Sequence, residues 1–163
     1  MIIRDATPGD AAAACAVIRA SISELCSADH RGDPDILGRW LANKTPDVVA
    51  QWADGQGRSL LVAIEGDAIL AVGGLAHPGE ITLNYVAPQA RYRGVSSAML
   101  AALEQRAAEQ GATSCVLLST ETAHRFYLAR GYVDTGVPVG KFGTASSYPM
   151  AKPISASGRR QPG

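Results

Sequence analysis

The residues best suited to chemistry lie in the run Val86-Ala87-Pro88-Gln89-Ala90-Arg91-Tyr92-Arg93-Gly94-Val95-Ser96-Ser97-Ala98-Met99-Leu100. A strand pattern ends, a basic loop with one glycine turns the chain, and helical periodicity begins at once. The unpaired N–H groups at a helix N-terminus form a ready anion site. Gly94 lets main chain approach a ligand closely, Arg91 and Arg93 add charge, and Ser96 and Ser97 add small donors. This build suits a pyrophosphate. A plain strand-to-helix turn with two solvated arginines fits the same residues, so the physics alone leaves both readings open.

Other phosphate signatures fail. There is no G-x-G-x-x-G. The run Gly136-Val137-Pro138-Val139-Gly140-Lys141-Phe142 is one residue short of a P-loop and lacks the hydroxyl residue after lysine. The acidic stretch Asp29-His30-Arg31-Gly32-Asp33-Pro34-Asp35 has metal-binding residue types but no second ligand cluster. A polar loop with a helix cap is expected there, and no metal. Three cysteines, Cys15, Cys26 and Cys115, make an odd count without a C-x-x-C pair. Free thiols and a reducing cytoplasm are the expectation.

Regular elements must position the loop. Residues 1–4 read as a strand, and Thr7-Pro8-Gly9-Asp10 as a helix start with capping residues. Apolar spacing through Ala14, Ile18, Ile22 and Leu25 predicts an amphipathic helix ending near Cys26. A polar loop is expected over 27–35, then helices over 36–43 and 46–52. Strands are expected over 60–64 and 68–76, joined by the two-residue turn Gly66-Asp67. In a third strand Ile81, Leu83 and Tyr85 alternate with Thr82, Asn84 and Val86, one set to each face. By the same alternation Asn84 shares a face with Glu80. Residues 95–107 keep helical spacing and Gly111 stops them. A strand over 113–119, a helix over 120–130 closed by Gly131, and strands over 132–135 and 147–150 complete the order. Residues 1–154 read as one domain, and the polar stretch 155–163 as a frayed tail.

The chain has 163 residues, 47% hydrophobic and 18% charged, which suits one packed domain. Fifteen basic residues balance fifteen acidic ones, which argues against general nucleic-acid binding. The strongest apolar run, 68–76, falls short of the ~18–20 residues that cross a membrane. The expected fold class is α/β (α+β), with a mixed, mostly antiparallel sheet of six to seven strands and about four flanking helices.

Two motifs carry a resemblance. Arg91-Tyr92-Arg93-Gly94-Val95-Ser96 is similar to the acetyl-CoA motif Arg/Gln-x-x-Gly-x-Gly/Ala of GNAT-type N-acetyltransferases, with Ser at the last position. Ala123-His124-Arg125-Phe126-Tyr127 and Gly131-Tyr132 resemble the family's Asn-x-x-Ala-x-x-x-Tyr-x-x-x-Gly-Phe, with Thr120 at the Asn position. The resemblance implies the acyl-CoA N-acyltransferase fold and a cleft between the strands ending at Val86 and Ser119. It implies that acetyl-CoA meets Arg91, Arg93, Gly94, Val95, Ser96, Ser97 and Thr120, with the Val86 N–H donating to the thioester carbonyl.

The same resemblance puts Tyr127 at the general-acid position. It puts Glu80 where histone-type members carry a general base, with a solvated turn glutamate as the alternative. Asn84 is the candidate acceptor contact. Acceptor-side acids, among them Glu24, Asp29, Asp33 and Asp35, hint at a cationic amine. The expected activity is direct acetyl transfer from acetyl-CoA to a primary amine of a small molecule or peptide. A non-catalytic acyl-CoA-binding module of the same fold is the alternative. A homodimer is left open.

Overall fold

The computed structural model describes residues 1–140, 142–143 and 147–155. Most of the tail expected over 155–163, and Lys141 of the rejected phosphate motif, lie outside the described residues. β1 (Ile2–Asp5) leads through a one-turn 3-10 segment into α1 (Ala11–Leu25). The Asp10 carboxylate accepts the Thr7 N–H at 2.7 Å and pairs with Arg4 at 2.8 Å, so the expected capping residues do fasten this entry. Then come α2 (Ser27–His30), α3 (Pro34–Leu41) and α4 (Pro46–Ala53).

The polar loop expected over 27–35 is therefore partly helical. Its composition is polar because the side chains serve the main chain. His30 is buried, with Nε2 at 3.1 Å from the Ile22 and Ser23 carbonyl oxygens and Nδ1 accepting the Gly32 N–H at 3.0 Å. Asp33 caps α3 by accepting from the N–H groups of Asp35 and Ile36.

β2 (Arg58–Glu65), β3 (Ala68–Ala76) and β4 (Glu80–Val86) form a meander. α5 (Val95–Glu109) crosses to β5 (Ser114–Thr120), and α6 (His124–Ala129), β6 (Val133–Asp134) and β7 (Ser147–Pro153) follow. The helix expected over 120–130 begins only at His124, because Thr120 ends β5. The seven strands run in the order β1-β2-β3-β4-β5-β7-β6. All neighbours are antiparallel except β4 and β5, whose parallel pairing is limited to Glu80 and Val116. Past that point the two strands splay.

Each face has its own core. α5 packs Met99 and Leu103, both fully buried, against one face. A Cβ on Gly73 of β3 would lie 2.5 Å from the Met99 sulfur, so a larger residue there would force the Met99 side chain to move. α1, α3 and α4 cover the other face with Ile18, Ile22, Trp40 and Val49.

The alternation expected along β4 does not hold. The β3–β4 register shifts between Gly74 and Leu75, which leaves Thr82 as an extra residue. Ile81 packs with the α5-side core, while Leu83 and Tyr85 pack with the opposite core. Asn84 and Glu80 accordingly stand on opposite faces, which corrects the shared face expected from simple alternation. The physical reason is parity: one unpaired residue reverses every side chain beyond it.

Candidate active site

The splay between β4 and β5 opens a cavity of about 400 Å³. Asn84 and Val86 form its β4 wall, Leu117 and Thr120 its β5 wall, and Tyr127 of α6 and Arg130 just past its end complete the lining. Its far end is the N-terminus of α5, with Arg91, Gly94, Val95, Ser96 and Ser97 in the lining. Gly94 caps the helix in the left-handed region at φ 76°. A Cβ there meets nothing within 4 Å, so conformation rather than crowding calls for glycine. The N–H groups of Val95, Ser96 and Ser97 are the first of the helix and have no partner within it.

Val86 presents its main chain to the same opening. The Ala87 N–H bonds the Leu70 carbonyl on β3 at 2.8 Å. Consecutive N–H groups of a strand point to opposite edges, so that of Val86 faces the gap left by β5.

Tyr127 lines the cavity. It is 7% exposed, and its ring packs edge-on to Phe126 and Tyr132. Its hydroxyl accepts from Asn84 Nδ2 at 3.4 Å. Burial, opposed by this hydrogen bond, pushes the phenol up to about 12, so the proton stays on across the neutral range. Asn84 Oδ1 is buried and has no partner. An orphaned acceptor at this depth is costly unless a ligand N–H meets it. Cys26 also lines the cavity. Burial first, and the Asp29 charge second, push its thiol up to about 12. A protonated thiol is a poor nucleophile.

Not every expected residue converges here. Arg93 does not line the cavity; its guanidinium pairs with Glu65 at 3.0 Å, both side chains about half exposed. Glu80 is exposed at the start of β4 and lines neither this cavity nor the second one described below. Thr120 does reach it, and its Oγ1 accepts the Ala123 N–H at 3.1 Å. The Thr120 hydroxyl proton is thereby left to donate.

The sequence reading missed Arg130. Its Nε donates to Ser97 Oγ at 2.9 Å, and its guanidinium lies 3.8 Å from the Phe126 ring centroid. This clamp fixes a cation beside the α5 N-terminus. The available signal was an arginine four residues after an aromatic on a predicted helix.

A second cavity, of about 210 Å³, opens on the opposite face and shares Thr82, Leu83, Tyr85, Leu118 and Thr120 with the first. Asp29 is the one carboxylate among the described residues that line either cavity. It is 2% exposed and accepts from the Glu121 N–H at 2.6 Å, the Thr122 N–H at 3.2 Å and Thr122 Oγ1 at 2.6 Å. Asp29 and Asp33 are thus structural acceptors, and the hint of an acidic acceptor wall is corrected. No group of three or more metal-binding side chains occurs among the described residues.

Comparison with known proteins agrees with this architecture. Residues 39–153 match the family described as acetyltransferase (GNAT) domain. A GCN5-related N-acetyltransferase from Rhodopseudomonas palustris superposes with a TM-score of 0.83 at 26% identity, covering 94% of this chain and 95% of that one. The PaiA N-acetyltransferase of Thermoplasma acidophilum, solved with coenzyme A, gives 0.77 at 15% identity over 94% and 98%. The aminoglycoside 6'-N-acetyltransferase of Enterococcus faecium gives 0.72 at 16% over the full length of both chains. A search of curated proteins finds no match. The chain belongs to the GNAT acetyltransferase family. It is an acetyl-CoA-dependent acetyltransferase.

Proposed function

We propose that the protein transfers acetyl from acetyl-CoA directly to a primary amine at the junction of the two cavities. The observation that carries this is the Tyr127 hydroxyl, held by Asn84 inside a cleft that runs to a helix N-terminus. Acetyl-CoA supplies a thioester whose carbonyl carbon accepts the amine. The α5 N–H groups, the Arg130 cation and Arg91 suit its pyrophosphate. Thr120 suits an amide of the pantetheine arm.

The Val86 N–H meets the carbonyl oxygen as negative charge develops there. Asn84 Oδ1 accepts an N–H of the incoming amine and aligns it. Tyr127 passes its proton to the departing sulfur. One C–N bond forms, one C–S bond breaks, the amine gives up a proton to water, and the phenol is reprotonated from solvent. Water is the proton acceptor because Asp29 is committed to three donors and Glu80 stands outside the cleft. The thiol state of Cys26 supports direct transfer over an acyl-enzyme.

The test is thiol release with an amine panel, comparing the parent with Tyr127→Phe. Turnover is expected to fall while the KM for acetyl-CoA barely moves. Unchanged turnover removes Tyr127 from the reaction.

A further inference from the structure

The second cavity has an unusual combination of walls. Trp40 and Phe142 stack at 6.4 Å with an interplanar angle of 13°, and Trp52 completes an aromatic surface. Two cations share this lining. Lys44 is 5% exposed; its Nζ donates to Asn43 Oδ1 at 2.6 Å and lies 5.4 Å from the Phe142 ring centroid. Arg58 is exposed at the rim and enters no hydrogen bond or ion pair among the described residues. Asp29, the one opposing charge in the described lining, is spent on the turn after β5. Glu80 shares the face with Arg58, since both pair with Ala76, but lies two strands away. Arg58 is therefore the one charged group of the described lining with no hydrogen bond or ion pair among the described residues.

We infer that this cavity selects an acceptor amine with an apolar or aromatic body that bears an anionic group, which Arg58 receives. The inference rests on the acetyl-transfer reading and names the substrate class of that same site. A guanidinium offers paired donors matched to a carboxylate or a phosphoryl group. The aromatic wall offers area for the body at low entropic cost. A polycationic amine gains nothing here, because its charges would meet Arg58 and Lys44 rather than free carboxylates.

Matched acceptors test this in two ways on the full-length protein loaded with acetyl-CoA or CoA. Phenylalanine is compared with phenethylamine, and 4-aminobenzoate with aniline, alongside phosphoethanolamine, spermidine and kanamycin. Thiol release is expected to give kcat/KM at least about tenfold higher for the carboxylate-bearing member of a pair, consistent with one charge-assisted hydrogen bond. Calorimetric binding to the CoA-loaded protein is expected to show the same order.

Arg58→Gln should bring each ratio to near one while the KM for acetyl-CoA stays put. Equal use of both members, a preference for spermidine or kanamycin, or an unchanged ratio in Arg58→Gln overturns the inference. If acetyl-CoA binds and no amine releases thiol, the acetyl-transfer reading fails instead. Calorimetry then judges the inference separately, and equal or absent binding of both members overturns it. Phosphoethanolamine distinguishes a phosphoryl group from a carboxylate as the anion.

Discussion

On the α5 side of the sheet, the cavity's recognition groups are mainly main-chain N–H donors and hydroxyls, with Arg91 and the clamped Arg130 beside the α5 N-terminus. On the opposite side they are side-chain aromatics and two cations. The first set is fixed by backbone geometry: a left-handed Gly94, the first turn of α5, and a strand edge exposed by the splay. The second depends on which side chains α3, α4, β2 and the connections holding Lys44 and Phe142 happen to carry. Main-chain donors accept any ligand of the right shape and charge, whereas side chains choose among bodies. A chemically constant co-substrate thus suits one cavity and a variable acceptor suits the other.

The contrast can be broken most severely at Tyr127, the proposed general acid in the first cavity. Tyr127→Phe is expected to lower kcat by about 10²-fold or more, the usual scale for losing a general acid, with acetyl-CoA affinity retained. A loss of affinity instead would make Tyr127 part of the binding wall. Because the phenol is held up to about 12, kcat should show no alkaline fall below the ordinary phenol value of 10. The stability sign follows. A raised folded-state value costs nothing below 10, and stability is lost as pH rises through about 12. Denaturant midpoints on either side of 10 should therefore fall more steeply in the parent than in Tyr127→Phe.

A smaller effect should come from the main-chain side alone. Gly94→Ala forces a Cβ into the left-handed region, a strain of about 1 kcal/mol, so CoA binding measured by calorimetry should weaken several-fold. Acceptor preference should not change. Arg130→Gln should weaken CoA by a few-fold and flatten its salt dependence, again without touching the acceptor ratio.

The least effect is expected from the residues that line neither cavity. Glu80→Gln should keep kcat within about twofold and leave the acidic limb of its pH profile in place, a change below about 0.5 kcal/mol. A displaced limb would restore Glu80 as the base. Arg93→Ala removes a half-exposed ion pair of the kind worth about 0–1 kcal/mol and should scarcely alter CoA binding.

Much of this was legible from residue order. The Gly66-Asp67 turn, the bounds of β3, and the start of α5 after Gly94 are local signals, and the folded chain keeps them. Tyr127 and Thr120 came from motif spacing within one strand–helix unit. Failures began where partners are distant in sequence. Asp29 serves N–H groups 92 and 93 positions away, so its acidity looked like a ligand site. Arg93 found Glu65 across 28 residues, and Arg130 found Ser97 across 33.

Glu80 and Asn84 show the limit most plainly. Alternation along a strand is a local rule and put both on one face. Register with β3 is a tertiary fact, and one extra residue at Thr82 separates them. By itself, the order of residues determined most of the elements and the strand–loop–helix turn at Gly94, because each depends on turns and periodicities within a few neighbours. Only the tertiary structure decided which charges are spent internally and which face a cavity. Pairing across a sheet is set by competition among distant segments, and no short window of sequence contains both competitors.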